Sequence, residues 1–188
     1  ENDFSSEEVK TLTDVCEAWL KNGKQMEARR IMARVLKSNH CGAYQYCVMG
    51  ASYIGEVEDS SDFVSARKYL NLALKADPNF AQTYYSLALV KQGSNHHTEA
   101  LKLLDKALSY GDKSYHPAWK TKASVLSALG RKEEAYKAAC EAEKRAPNDA
   151  GALWVKAGIL EQMGKPYEAA KLFQKSYQFY QSDWLLHQ

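Results

Sequence analysis

The sequence predicts an all-α fold made of repeated helix pairs, and three observations support this prediction. The segment 116–149 resembles the segment 150–183, so that Trp119 and Leu126 lie 34 residues before Leu153 and Leu160. Alanines recur at nearly the same spacing along the chain, and glycines stand where the helices of such pairs would end. Periods of this length are typical of repeat architectures, in which each unit buries its apolar face against its neighbours.

The second helix of each pair is marked by an alanine close to its start. These alanines are Ala28, Ala66, Ala100, Ala135 and Ala169. Each is followed four and seven residues later by an apolar or small residue, as Leu70 and Ala73 follow Ala66. Residues at this spacing lie on one face of a helix. The series therefore predicts five pairs.

The first helix of each pair carries residues in the order aromatic or leucine, large, small, large. The small residues are Cys16, Gly50, Ala88, Ala123 and Ala157. Small residues that face alanines allow two helix axes to approach to the near end of the usual range of about 8 to 10 Å. With the alanine series, this order resembles the tetratricopeptide-repeat (TPR) pattern W-x-x-L-G-x-x-Y, then A-x-x-x-F, then P. The resemblance covers residues 9–183.

The resemblance implies a right-handed superhelical solenoid of about five TPR repeats. Their approximate bounds are 9–42, 43–80, 81–115, 116–149 and 150–183, within a single domain that covers 1–188. Residues 184–188 are expected to begin a sixth repeat or to form a capping stub on the fifth pair. The longer, acidic connection around 56–62 is interpreted as a solvated loop, with a docking site for a basic partner as the alternative.

Helix ends are also predicted from the sequence. Gly23, Gly130 and Gly164 follow first helices, where a residue with positive φ commonly ends the helix. Ser5 and Glu8 have the spacing of a capping box at the start of the array.

The resemblance places a concave groove on the first helices, lined by residues one step beyond the core positions. The residues expected to contact a partner there are Thr13, Glu17, Cys47, Ala51, Ile54, Tyr85, Leu89, Gln92, Lys120, Ser124, Trp154 and Glu161. Tyr85 and Trp154 are expected to be partly exposed, and several apolar residues are expected in the middle of the groove. Exposed aromatic residues commonly anchor protein partners. The alternative is that long side chains from adjacent repeats cover these positions.

These features favour a non-catalytic protein–protein interaction scaffold that binds a partner peptide or helix in its groove, within a larger assembly. The alternatives are a self-assembling structural element, which would associate through its terminal repeats, or a secretion or pilus-assembly chaperone of TPR type. Thr13 and Glu17 stand where TPR co-chaperones place Lys and Asn to hold a partner's carboxylate. A carboxylate clamp is therefore not predicted.

Other classes of function find little support in the sequence. The net charge is +2 with both signs interspersed, whereas nucleic acids and anionic membranes require clustered cations. No apolar run approaches the roughly 20 residues that span a bilayer. No catalytic motif, cofactor site or metal site is predicted. The four cysteines are interpreted as thiols of a reducing, cytoplasmic compartment, with a Cys41–Cys47 bridge or a periplasmic or other location as alternatives.

Overall fold

The computed structural model describes residues 4–54, 60–111 and 115–186. Within these ranges the chain forms ten α-helices and no β-strand. The predicted all-α class and the succession of paired helices are confirmed. The chain divides into two compact units, Glu1–Ser94 and Asn95–Gln188. The single domain expected over 1–188 stays a prediction.

The first unit contains five helices, of which two pairs are complete. They are α1 (Ser6–Lys21), α2 (Gln25–Val35), α3 (Ala43–Ala51), α4 (Ser60–Ala76) and α5 (Ala81–Gly93). α1 packs against α2, and α3 packs against α4. The first helix α3 also contacts α1 and α5, so successive first helices lie side by side.

The second unit repeats this arrangement. It contains α6 (His97–Tyr110), α7 (His116–Ala128), α8 (Lys132–Arg145), α9 (Ala150–Gln162) and α10 (Pro166–Leu186). The pairs are α7 with α8 and α9 with α10, and α7 also contacts α6 and α9. Each pair thus leaves one face of its second helix for the next first helix.

The small-on-small contacts predicted from the sequence hold the pairs together. All five marker alanines of the second helices are buried, as are the five small residues of the first helices. A Cβ added to Gly50 in α3 would lie 2.7 Å from Cγ of Leu70 and 3.2 Å from the carbonyl oxygen of Ala66, both in α4. The absence of a side chain at Gly50 therefore permits the close approach of α3 and α4.

Several predicted helix ends are confirmed. Ser5 and Glu8 form a reciprocal capping box, in which the Ser5 amide donates to Oε2 of Glu8 at 2.8 Å and the Glu8 amide donates to Oγ of Ser5 at 3.3 Å. Gly23, Gly130 and Gly164 have φ of 72°, 73° and 75°. Among the described residues, Asn95 is the one non-glycine with positive φ, at 58°.

Two predictions fall wholly or partly outside the described part. Residues 184–186 continue α10 and so extend the second helix of the fifth pair, while 187–188 and the packing expected of the stub lie outside the described residues and side chains. Glu56, Glu58 and Asp59 of the acidic loop also lie outside the described residues.

The thiols of the four cysteines form no disulfide in the structure. Cys41 Sγ lies 3.2 Å from the carbonyl oxygen of Val35, whereas Cys47 Sγ lies 3.8 Å from Oγ of Ser86. Burial raises the pKa of the Cys47 thiol to about 11, so this group is neutral near pH 7.

Candidate protein-binding surfaces

Two residues predicted to line the groove are buried instead. Thr13 in α1 donates its hydroxyl to the carbonyl of Val9 at 2.6 Å, and Gln45 of α3 donates to Thr13 Oγ1 at 3.4 Å. Cys47 in α3 is also fully buried, next to Ser86 of α5. The prediction of exposure was wrong for both, because the next first helix covers these positions. The alternative that adjacent repeats cover the apolar groove positions thus holds at Cys47.

Glu17 belongs to a polar network on the first unit. The hydroxyl of Tyr44 lies 2.8 Å from Oε2 of Glu17 and 2.9 Å from Oδ1 of Asp14. Gln82 Nε2 donates to Oε1 of Glu17 at 3.4 Å, and Lys21 Nζ lies 3.4 Å from that oxygen. The pKa of the Tyr44 hydroxyl is raised, mainly by burial. Its hydrogen bonds to Glu17 and Asp14 and the charges of these two carboxylates raise it further. The phenol of Tyr44 therefore stays protonated near pH 7. The network links α1, α3 and α5, which are three successive first helices.

Three residues of this network escaped the sequence analysis. Asp14, Tyr44 and Gln82 do not lie one step beyond a core position. A signal for two of them was present, since Tyr44 and Gln82 each stand two residues before the tyrosine that opens the pattern, Tyr46 and Tyr84. Equivalent positions in successive repeats lie side by side in a stacked array.

The other candidates of the first unit are half-buried. They are Ala51, Ile54, Tyr85, Leu89 and Gln92. Ile54 packs against the core cluster that contains Cys47 and Leu70. Part of each of these side chains is accessible to solvent. The expected partial exposure of Tyr85 agrees with the structure.

In the second unit, Lys120 is paired with a carboxylate. Its Nζ lies 2.9 Å from Oδ2 of Asp149, the N-cap of α9, whose Oδ1 accepts the amide hydrogens of Gly151 and Ala152. Nζ of Lys120 would lie 3.1 Å from a Cβ added to Gly151. Burial raises the pKa of Asp149, but the hydrogen bond and charge of Lys120 and the two amides outweigh it, so that the pKa is lowered. Lys120 thus braces the start of the next first helix.

Trp154 in α9 is the most prominent of the predicted residues. Its side chain is 60% exposed, and its ring meets Phe173 of α10 edge-on, with 4.7 Å between centroids. Gly158, one turn further along α9, has open space where a Cβ would stand. Glu161 is exposed and Ser124 is half-buried. The structure therefore presents an exposed aromatic ring that packs against Phe173, with open space one turn away at Gly158.

Further exposed aromatics lie on α10, which the sequence analysis did not consider as a site because it examined first helices. Tyr177 and Tyr180 are 60% and 64% exposed. They follow Phe173 by four and seven residues and so extend along the same side of the helix. We call Trp154, Phe173, Tyr177 and Tyr180 the aromatic strip. Tyr167, 74% exposed, stands in the first turn of α10 with Nζ of Lys171 at 4.4 Å from its ring centroid.

The described part of the chain contains neither a cluster of metal ligands nor a membrane-spanning helix. There, no three His, Cys, Asp or Glu side chains come together as metal ligands. Nor does any helix in the described ranges combine the length and hydropathy of a bilayer span.

Comparisons with known proteins agree with this architecture. Residues 116–149, which comprise α7, α8 and the connection that ends at the N-cap of α9, match the family model described as tetratricopeptide repeat. A crystal structure of MamA has a TM-score of 0.64 and 20% sequence identity, covering 90% of this chain and 96% of that chain. MamA 41-end from Desulfovibrio magneticus RS-1 has a TM-score of 0.65 and 17% identity, covering 93% and 96%. At these identities the likeness concerns the fold. No curated protein matches the sequence.

The fold and its repeated contacts define a helical-repeat protein, a class that generally acts as a protein-interaction scaffold. The matched repeat and the structural neighbours identify this fold more narrowly as that of a tetratricopeptide-repeat array.

Proposed function

We propose that this chain is a non-catalytic scaffold that binds a protein partner, and that Trp154 is a principal contact. The observation that supports the proposal is the 60% exposure of a tryptophan whose ring packs against Phe173. Tryptophan is enriched among residues that dominate binding energy, and truncation of such an anchor commonly costs about 2 kcal/mol or more. Because the ring already has a packing partner in Phe173, binding would cost less side-chain entropy than for a ring without one.

The remaining candidates would surround this anchor or form a second contact in the first unit. In the second unit these are Lys120, Ser124 and Glu161, and in the first unit Glu17, Ala51, Ile54, Tyr85, Leu89 and Gln92. The Asp14–Glu17–Tyr44 network favours a partner segment without a carboxylate at that point, since like charges repel. The partner would belong to a larger assembly, and the cytoplasm remains the proposed location.

The test uses the whole chain as bait, followed by titration of each captured and purified partner. Trp154→Ala is expected to weaken the affinity at least tenfold, with the helical circular dichroism unchanged. Tyr167→Ala is the matched control, because it removes an even more exposed aromatic side chain from the second unit. Equal affinities of the wild type and Trp154→Ala for every partner would contradict the proposal.

A further inference from the structure

We propose that the outer side of α2 and α4 is a docking surface for an acidic segment of a partner protein. The inference rests on the proposed function, which makes a protein the expected partner, and it adds a second surface that does not involve Trp154. It is carried by two rows of exposed cations in the first unit and by the different charge pattern of the second unit.

The first row of cations runs along α2 and into the turn that follows it. Arg30 and Arg34 are one turn apart on α2, and Lys37 follows just after the end of the helix. All three side chains are exposed. Met26, which is 47% exposed, precedes Arg30 by four residues and extends the row with an apolar side chain.

The second row lies on α4 and repeats the pattern of the first. The equivalent residues, each 38 positions further along the chain, are Val64, Lys68 and Lys75. Val64 is 66% exposed, and both lysines are exposed. Arg67 is exposed as well and places a second cation next to Lys68. Two successive second helices therefore present an apolar side chain followed by cations.

Aromatic side chains connect the two rows. The Arg29 guanidinium of α2 lies 3.9 Å from the ring centroid of Tyr53 and donates to the carbonyl oxygen of Ser52 at 2.7 Å, just past the end of α3. The Tyr53 ring stacks on that of Tyr69 in α4, with 5.9 Å between centroids. Nζ of Lys68 lies 5.8 Å from the Tyr69 centroid. These contacts link α2 to α4, so the two rows form one surface whose cations are held in place before a partner binds.

Helices of the array do not cover this side of a second helix. α2 packs against both α1 and α3, and α4 packs against both α3 and α5. In the second unit, Lys137 of α8 stands at the position of Arg30 and Lys68 and is exposed, although α7 and α9 both pack against α8. The exposure of the rows is therefore a property of helix pairs that have a neighbour on each side.

The balance of charge distinguishes these two helices from α8. Residues 24–37 carry five cations and one carboxylate, and α4 carries three cations and one carboxylate. The two carboxylates are those of Glu27 and Asp62. α8 carries four residues of each sign. The near-neutral charge of the whole chain thus conceals a local excess of cations on the first unit.

Ion pairs show the same contrast. In the second unit, Arg131 pairs with Glu134 and Lys122 pairs with Asp105. Within the described part of the chain, to which residues 56–59 do not belong, no carboxylate forms an ion pair with a cation of either row. These cations therefore keep their charge available to a partner.

Complementarity favours a partner segment in which carboxylates alternate with apolar residues. Exposed cations attract carboxylates, and an arginine can hold one through two parallel hydrogen bonds. Met26 and Val64 would contact the apolar residues of such a segment. The sugar–phosphate backbone of a nucleic acid would offer these two side chains little to pack against, so the surface fits an acidic protein segment better.

The probe is a fluorescein-labelled peptide of about 16 residues, long enough to cross both rows when extended, in which leucines alternate with pairs of glutamates. Glutamines replace the glutamates in a second peptide. Fluorescence anisotropy with the intact chain, at an ionic strength of about 0.15 M, is expected to show saturable binding of the acidic peptide and at least tenfold weaker binding of the other. Equal affinities of the two peptides would overturn the inference.

The combination of Arg30→Glu and Lys68→Glu is the decisive variant, because it reverses one cation in each row. We expect at least a tenfold loss of affinity for the acidic peptide, with the helical circular dichroism unchanged. Lys102→Glu with Lys171→Glu is the matched control, since it makes the same change of net charge at the equivalent exposed positions of α6 and α10. Retained affinity in the first variant, or an equal loss in the control, would overturn the inference.

Two outcomes would assign the surface to another occupant and overturn the inference. One is tighter binding of phosphatidylserine vesicles or duplex DNA than of the acidic peptide, lost in the Arg30→Glu and Lys68→Glu variant. The other is a concentration-dependent dimer that this variant dissociates. Trp154→Ala should bind the acidic peptide as the wild type does, so the scaffold proposal stands or fails in its own test with captured partners.

Discussion

Lys120 illustrates how a residue chosen as a binding candidate can have a structural partner within the chain. Its ammonium group neutralises the N-cap carboxylate of α9, and His116 Nε2 lies 3.7 Å from the same oxygen of Asp149. A free anion would have to compete with this carboxylate for Lys120. At the residue scale, Lys120 therefore stabilises the helix that carries Trp154 before it contributes to any partner contact.

Replacement of Lys120 by methionine should destabilise the chain at neutral pH by about 1 kcal/mol, because Asp149 keeps its two amide donors but loses the charged one. A carboxyl group whose pKa is lowered on folding stabilises the fold above its ordinary value of 3.8, and this contribution is lost as the pH falls below that value. The difference between the wild type and Lys120→Met should therefore shrink in acid.

Urea unfolding followed by circular dichroism at pH 7 and pH 3 would measure this difference. Lys171→Met is the control. It makes the same substitution at a lysine whose ammonium lies over the ring of Tyr167, whereas that of Lys120 lies beside the N-cap carboxylate of α9. A deficit of the same size at both pH values would indicate that Lys120 acts through its methylene groups instead.

At the scale of the element, the helix pairs depend on close backbone approach at particular positions. Gly50 faces Leu70 and the backbone of Ala66, whereas Gly158 faces open space on the surface of α9. The two glycines are both helical, so replacement by alanine brings a similar gain in intrinsic helix propensity of about 1 kcal/mol. Any difference between the two replacements then reports the packing of the pair.

Gly158→Ala is expected to stabilise the chain by about 0.5 to 1 kcal/mol. Gly50→Ala is expected to destabilise it, because a methyl group forced into the contact with Leu70 costs about 1 to 3 kcal/mol. Chemical unfolding of both variants in parallel measures the contrast. Similar stabilities would show that α3 and α4 can separate at little cost.

The helices themselves could be predicted from the sequence, since burial of a small residue and an alanine once per repeat leaves a periodic pattern. The exposure of individual side chains could not. The position of Cys47 fixes its direction from α3, but its burial depends on α5, which a single-helix rule does not include. The partial exposure expected of Trp154 agrees with the structure, in which its ring packs against Phe173 and remains 60% exposed.

For the whole molecule, the relevant property is the locality of its contacts. Within each unit, the helices in contact are adjacent in the chain or one helix apart, as α1 and α3 or α7 and α9 are. The stability of such arrays approximates a sum of repeat and nearest-neighbour contributions. Damage to one pair should therefore remain largely confined to its own surroundings.

Amide hydrogen exchange of Gly50→Ala tests this expectation. Protection should fall most in α3 and α4 and least in α7, α8 and α9, because opening of the damaged pair does not require the others to open. Wild-type protein exchanged in parallel provides the reference for each peptide. A uniform loss of protection over all helices would instead indicate one cooperative unit.

Asn95 makes with a side chain the left-handed turn that Gly23, Gly130 and Gly164 make without one. Asparagine tolerates this conformation better than most residues, so the turn between the two helices forms although asparagine replaces the usual glycine. A search for glycine at that place would count too few hairpins in this chain. The positive φ values therefore mark the repeat period of this chain more reliably than the glycines do.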